Sequence, residues 1–127
     1  MPAFGTIPPP ALYAGDSLQL VSAADATAGN ITYTQAIVGI QSAQVAGNQW
    51  TLTNSTNETA TVYVSASDAA TTAHPNGQTS NYEPLTDADT AEAITCASDS
   101  TINFTAVGFI CCHFGTSPTS GTLTIAR

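Results

Sequence analysis

Residues 59–65 read Thr-Ala-Thr-Val-Tyr-Val-Ser and carry the clearest secondary-structure signal in the chain. Their apolar and polar side chains alternate with period two, the pattern of a half-buried β-strand. We expect Val62 and Val64 to face the core. Thr61 and Tyr63 should then face the opposite side. Because threonine, valine and tyrosine also favour pleated sheets, this stretch predicts a strand and indicates an all-β fold.

Similar short segments, bounded by turn residues, lie on both sides of this strand. They cover residues 17–21, 31–40, 49–53, 101–105, 108–114 and 121–126. The link at residues 54–58 has the composition of a hairpin loop, and residues 86–93 could form one short helical turn. No segment shows a sustained helical period. Short strands at this spacing are typical of β-sandwiches, so we predict one β-sandwich or jelly-roll-like domain over residues 16–127.

Residues 1–15 form a separate segment with three consecutive prolines. Such a run favours polyproline II and cannot join a central strand. We predict an extended, Pro-rich N-terminal arm that is held against its own domain or a neighbouring subunit. The candidate contact residues of this arm are Phe4, Ile7, Pro8, Pro9, Pro10 and Tyr13.

The charge of the chain excludes several classes of function. Nine acidic residues stand against one cation, Arg127, for a formal net charge of −8 over 127 residues. Without other cations the chain has no phosphate cradle, no nucleic-acid-binding patch and no Schiff-base lysine. No apolar run approaches the roughly 18 residues that span a bilayer, so we expect no membrane partner. Copies of the chain cannot form ion pairs with one another, so contacts between copies should be apolar or amide-based.

The three cysteines do not suggest a disulfide framework. Cys111 and Cys112 are adjacent, so in a strand they point to opposite faces, and Cys96 leaves the count odd. We predict reduced thiols, with Cys111 or Cys112 filling core space, as suits assembly in a reducing cytoplasm. The first residues also lack the basic and apolar regions of a secretory signal.

One acidic cluster could bind a metal ion. Asp87, Asp89 and Glu92 offer oxygen ligands at close spacing, as Ca²⁺ prefers. The spacing of an EF-hand is absent, however, and Asp87 or Thr90 capping a helical turn explains these residues equally well. We therefore predict no metal site and no cofactor.

No motif predicts catalysis. His113 beside two cysteines lacks the four-ligand spacing of structural zinc, so we interpret it as a core histidine. No nucleophile elbow, P-loop or dinucleotide-binding turn occurs, which indicates a protein that is not an enzyme. Trp50 is expected in the core. Tyr13, Tyr63 and Tyr82 are scattered candidates for oligosaccharide contacts.

Residues 50–127 resemble a small β-sandwich found among virion structural proteins of tailed bacteriophages. The resemblance rests on Thr-Leu-Thr-Asn at residues 51–54, Ala-Thr-Val-Tyr-Val at 60–64, Tyr-Glu-Pro-Leu at 82–85 and Gly-Thr-Leu-Thr-Ile at 121–125. The chain departs from that pattern in its longer loop at residues 66–81 and in the Cys-Cys-His segment at residues 111–113.

The resemblance implies a capsid decoration (cement) protein on the outer surface of a phage head. Its partners would be the major capsid protein, neighbouring virion proteins and further copies of the chain, for example in a trimer. Packaged DNA would repel the acidic chain, which favours the outer face of the shell. Two alternatives stay open: a tail-fibre or receptor-binding domain that uses residues 66–90 for recognition, and a secreted carbohydrate-binding module.

Overall fold

The structure, a computed structural model, describes residues 11–34, 37–39, 49–65, 83–106 and 108–127. Within these ranges the all-β prediction is confirmed, because strands dominate and the one helix is short. The elements in chain order are β1 (Ala11–Leu12), β2 (Ser17–Val21), α1 (Ala23–Ala28), β3 (Ile37–Gly39), β4 (Gln49–Asn54), β5 (Ala60–Ser65), β6 (Glu83–Pro84), β7 (Thr95–Cys96), β8 (Ser100–Thr105), β9 (Gly108–Phe114) and β10 (Leu123–Ala126).

The strands form two sheets. The first sheet has the order β1-β3-β9-β5-β6, with β7 also paired to β5, and the second has the order β2-β10-β4-β8. Every pairing is antiparallel except that of β1 with β3. Apart from β5, β6 and β7, consecutive strands belong to different sheets. Nearly every described connection therefore crosses from one sheet to the other.

The pairings are nested along the chain. Strand β2 pairs with β10, β3 with β9, β4 with β8, and β5 with both β6 and β7. Strands early in the chain thus pair with strands late in the chain, and each successive pair is enclosed in sequence by the one before it. Such contacts join residues that are far apart in sequence, which local sequence patterns do not reveal.

Both sheets contribute to a single apolar core. The second sheet buries Trp50, Leu52, Leu123 and Ile125, and the first sheet buries Val62, Ile110, Cys112 and Phe114. The predicted inward positions of Trp50 and Val62 are confirmed, and Val64 packs against the same core. The indole N–H of Trp50 donates to the carbonyl of Ala106 at 3.0 Å, so its polar atom is satisfied.

The link at residues 54–58 does not close a hairpin, which corrects the prediction. Strand β4 belongs to the second sheet and β5 to the first, so this link carries the chain across the core. The buried Asn54 amide donates to the carbonyls of Glu58 at 2.8 Å and Cys96 at 2.9 Å. Composition indicates that the chain turns, but it does not indicate which sheet receives the next strand.

Helix α1 was not predicted. Ser22 is its N-cap: the Asp25 N–H donates to Ser22 Oγ at 3.1 Å, and Ser22 Oγ donates to the Asp25 carboxylate at 2.7 Å. Gly29 ends the helix in the left-handed region at φ 69°. With six residues the helix is too short to show an apolar period, and the capping pair is its one sequence signal.

Residues 11–15, assigned to the arm by the sequence, pack on the domain. Leu12 is 4% exposed in β1, and the Gly15 N–H donates to the carbonyl of Arg127 at 2.8 Å. The Arg127 side chain also reaches the Leu12 carbonyl at 3.3 Å. Residues 1–10 lie outside the described residues, as do parts of the strand predicted at residues 31–40.

Candidate functional site

Three aromatic rings meet on the outer face of the first sheet. The rings of Tyr33 and His113 have centroids 4.5 Å apart. Tyr63 stands edge-on to both, 5.8 Å from Tyr33 and 5.6 Å from His113. Phe109 and Tyr63 also pack against Cys111, which is fully buried beneath them. We call these five residues the aromatic cluster.

The alternation of β9 produces this cluster. Ile110, Cys112 and Phe114 point into the core between the sheets. Cys111 and the half-buried His113 therefore point to the outer face, as period two requires. This confirms that the two adjacent cysteines face opposite sides and that they are free and buried. It corrects the interpretation of His113 as a core histidine.

Strand pairing assembles the other members of the cluster. Tyr63 lies opposite Cys111 in the β5–β9 pair, and Tyr33 forms an isolated bridge to His113. The segment that carries Tyr33 is held to β9 by three hydrogen bonds: the Thr34 N–H donates to the Cys112 carbonyl, the Cys112 N–H to Thr34 Oγ1, and the Phe114 N–H to the Thr32 carbonyl. Sequence reasoning named Tyr63 and His113 separately, but it had no signal for the long-range pairing that joins them.

Burial favours the neutral forms of His113, Cys111 and Tyr33 by shifting their pKa values. It lowers the pKa of His113, which favours the neutral imidazole. It raises the pKa of the Cys111 thiol to about 12, so this thiol is protonated and a poor nucleophile. The pKa of Tyr33 is raised by burial first and by Tyr63 second. Neutral, partly exposed rings offer apolar contact and hydrogen bonding, which suits binding better than acid–base chemistry.

A groove of about 600 Å³ lies beside the cluster. Its described lining includes Leu20 of β2, Asp25 and Ala28 of α1, and residues 30–34. Tyr33 belongs to both the groove and the aromatic cluster. The groove therefore lies where β2 and α1 approach residues 30–34, which run beside β9.

The acidic segment forms a capped turn. Asp87 Oδ1 accepts from the N–H groups of Asp89 at 2.8 Å and Thr90 at 3.2 Å, and the Ala91 N–H donates to the Asp87 carbonyl at 2.8 Å. The capping explanation is thus confirmed for Asp87. Across the residues that the structure describes, no group of three His, Cys, Asp or Glu side chains is placed to hold a metal ion.

Of the predicted contact residues, Tyr13 can be located. It is 56% exposed in the turn between β1 and β2, where its N–H donates to Asp16 Oδ2 at 3.2 Å. The others, Phe4, Ile7, Pro8, Pro9 and Pro10, lie outside the described residues, and so does Tyr82. None of the helices described in the structure is long and apolar enough to cross a membrane.

Comparisons with family models, with curated proteins and with solved structures give no significant match.

Proposed function

We propose that this chain is a non-enzymatic structural protein of a virion, and specifically a capsid decoration protein on the outer face of a phage head. The observation that carries the proposal is the nested strand pairing of the two sheets. The net charge favours the outer face of the shell, and the aromatic cluster offers an uncharged surface for attachment.

We infer from the pairing that the two sheets form a jelly roll. In an eight-stranded jelly roll the first strand pairs with the last, the second with the seventh, and so on inward. The pairs β2·β10, β3·β9, β4·β8 and β5 with β6 and β7 follow this rule. Viral capsid proteins are prominent among the proteins built on this architecture, together with lectins and cupins.

The charge of the chain favours the outer face of the shell. A net charge of −8 would be repelled by packaged DNA, and equally charged copies would repel one another. Attachment to the shell and to neighbouring copies should therefore use uncharged surface. Tyr33, Tyr63 and Phe109 supply such a surface, and aromatic side chains are enriched at the energetic centres of interfaces. The arm residues Phe4, Ile7, Pro8–Pro10 and Tyr13 would extend these contacts.

Tyr63→Ala tests the attachment surface. We expect the purified variant to bind depleted particles about thirty-fold more weakly than the parent chain, because truncating a central aromatic anchor costs about 2 kcal/mol or more. The measurement is a pelleting titration with particles from which the chain has been removed, at low and high salt. Binding of the parent chain should change little with salt, since the cluster carries no charge.

Thr53→Ala is the matched control, because Thr53 is exposed on the second sheet, away from the cluster. It should bind like the parent chain. Equal binding by both variants, or a steep loss of parent binding with rising salt, would show that the aromatic cluster is not part of the attachment surface.

A glycan-binding role, as a receptor-binding domain or a carbohydrate-binding module, is the second candidate. The specific observation that favours it is the pair of partly exposed tyrosines, Tyr33 and Tyr63, on an architecture that lectins share. Measurable binding of the purified chain to glycans, lost in Tyr63→Ala, would favour this role over decoration.

A further inference from the structure

Strand β8 forms an edge of the second sheet. It pairs with β4 over its whole length without a register shift, and no other described strand pairs with its second side. Its sequence, Ser-Thr-Ile-Asn-Phe-Thr, contains no proline and no charge, the features that commonly keep an exposed edge from pairing. The other described edges differ: β1 and β6 have two residues each, β6 includes Glu83 and Pro84, and the pairing of β2 is irregular.

The thiol of Cys96 shows which backbone groups of β8 point toward β4. Its Sγ donates to the carbonyls of Ser100 on β8, at 3.3 Å, and of Leu52 on β4, at 3.6 Å. Two carbonyls that reach one sulfur must face each other, because carbonyls pointing apart on strands about 4.8 Å from one another would be too distant. Since these groups alternate in direction along a strand, the backbone groups of Ser100, Ile102 and Phe104 point to β4.

The backbone groups of Thr101, Asn103 and Thr105 therefore point to the free side of β8. Each of these residues presents one N–H donor and one C=O acceptor there. No hydrogen bond of the turns, loops and caps described in the structure uses them. A row of this kind can accept a further antiparallel strand.

An identical strand satisfies all of these groups in one register. When two copies of β8 run antiparallel with Asn103 opposite Asn103, Thr101 of each copy lies opposite Thr105 of the other. All of these positions are then hydrogen-bonded pairs, in which both N–H groups donate to the facing carbonyls. The arrangement has two-fold symmetry, the commonest symmetry of homo-oligomers.

The side chains of β8 suit the same register. On the exposed face an amide meets an amide at Asn103, and threonine meets threonine on either side, pairs that stabilise antiparallel strands. On the inner face the half-buried Ile102 lies level with the partner's Phe104, so an apolar side chain meets an apolar one. No position of the pair places a polar side chain opposite an apolar one.

The edge is also a place where two acidic chains can approach. Copies with a net charge of −8 repel one another, and β8 itself carries no charge. Asp99 immediately precedes the strand, four residues from Asn103. At about 3.3 Å per residue, the Asp99 residues of two copies would lie about 26 Å apart along the pair. That distance exceeds the Debye length of about 10 Å at 0.1 M salt.

We propose that two copies of this chain form a dimer in which their β8 strands pair antiparallel around Asn103. The second sheet then continues from one copy into the next. The proposal goes beyond the proposed function and does not depend on it, because the attachment surface lies on the first sheet and the dimer forms without particles.

Sedimentation of the purified full-length chain measures the association. One pair of short strands is a small interface beside the roughly 1,200–2,000 Å² of stable complexes, so we expect a weak dimer. Its share should rise with protein concentration. It should also be larger at about 1 M than at about 0.1 M NaCl, because salt screens the repulsion between copies. A monomer at every concentration up to about 1 mM in both salts, where even weak interfaces associate, would overturn the proposal.

Amide hydrogen exchange locates the contact. The N–H groups of Thr101, Asn103 and Thr105 should exchange rapidly in the monomer and become protected as the dimer forms. Those of Ile102 and Phe104 should be protected throughout, because they point to β4. A dimer in which the first three amides still exchange rapidly would place the contact elsewhere. Protection of these amides in the monomer would show that the edge is covered within one chain, and either result would overturn the proposal.

Asn103→Pro and Asn103→Ala form a matched pair of variants. Both lose the hydrogen bond of the Asn103 side chain with Thr51. Proline also removes the N–H on the free side of β8, where proline is tolerated because no bond to β4 is lost. We expect the dissociation constant of the dimer to rise about tenfold or more with proline and about threefold or less with alanine. Equal dissociation constants for the two variants would contradict the proposed pairing.

Asn103→Asp tests the register without a change of backbone. In the proposed dimer it places two carboxylates directly opposite each other, which destabilises the pair. Thr53→Asp adds the same charge on the exposed face of β4, one strand further from the partner. At about 0.1 M NaCl we expect the first variant to weaken the dimer about tenfold and the second about threefold or less. Equal weakening by both would show that Asn103 does not lie at the two-fold axis, and would overturn the proposal.

Discussion

Gly121→Ala is expected to destabilise the protein by about 3 kcal/mol or more. Gly121 has φ +88°, a region that residues with a Cβ rarely adopt. A Cβ at this position would also approach the Thr56 Cα to 2.7 Å and collide with the carbonyl group of Ser55. These are backbone atoms of the crossing between β4 and β5, so they cannot move aside without displacing the crossing. Urea unfolding of both proteins measures the difference in the free energy of unfolding.

Gly15→Ala separates the effect of the positive φ from the effect of the steric clash. Gly15 has nearly the same φ, +89°, but nothing lies within 4 Å of a Cβ placed there. It should therefore lose about 1–2 kcal/mol from backbone strain alone. Equal losses at Gly15 and Gly121 would show that the close approach to Ser55 and Thr56 does not determine the stability of this region.

Asn54→Ala should destabilise the protein by about 3–5 kcal/mol. Asn54 is 1% exposed, and its amide donates to the carbonyls of Glu58 and Cys96. Its Oδ1 accepts from the N–H of Thr56 at 2.9 Å and from the Thr56 hydroxyl at 2.6 Å. Alanine would leave these buried groups without the amide, and each buried group left unsatisfied costs about 1–3 kcal/mol.

Asn103→Ala is the control for this substitution. Asn103 is exposed on β8, where its side chain accepts from the Thr51 hydroxyl at 2.7 Å. Losing one solvent-exposed hydrogen bond should change the free energy of unfolding by about 0.5 kcal/mol or less. If Asn54→Ala were as mild as Asn103→Ala, the role of Asn54 in holding the crossing would be refuted.

Gly121→Ala and Asn54→Ala both act on the crossing at residues 54–58, where the chain passes from the second sheet to the first. The Asn57 side chain accepts from the N–H groups of Thr119 at 2.9 Å and Ser120 at 3.3 Å. The Ser55 N–H donates to the Thr122 carbonyl at 2.9 Å. The crossing from β4 to β5 is therefore tied to the loop that enters β10. This contact holds an early part of the chain against a late one, as the nested pairing requires.

The sequence predicted the strands whose side chains alternate clearly. Residues 49–53 and 101–105 fall within β4 and β8, in which buried side chains alternate with more exposed ones. Residues 108–114 coincide with β9, whose outward-facing Cys111 is covered by Tyr63 and Phe109. The two-residue strands β1, β6 and β7 were missed, since two residues cannot show a period. Helix α1 was missed for the same reason of length.

The partners of each strand could not be predicted. Period two states that one face of a strand is buried, but it does not state against which sheet. For this reason the link at residues 54–58 was interpreted as a hairpin. The aromatic cluster depends on the same information, because Tyr33, Tyr63 and His113 meet through the pairing of segments 30 to 80 residues apart.

The number of copies in the virion tests the proposed function most directly. Particles assembled from the genome that encodes this chain can be purified and analysed by quantitative mass spectrometry, with the major capsid protein as internal standard. We predict hundreds of copies per particle, in a simple ratio to the major capsid protein and removable without loss of packaged DNA. A few to tens of copies, or none, would contradict the role in capsid decoration and favour a tail-fibre or non-virion function.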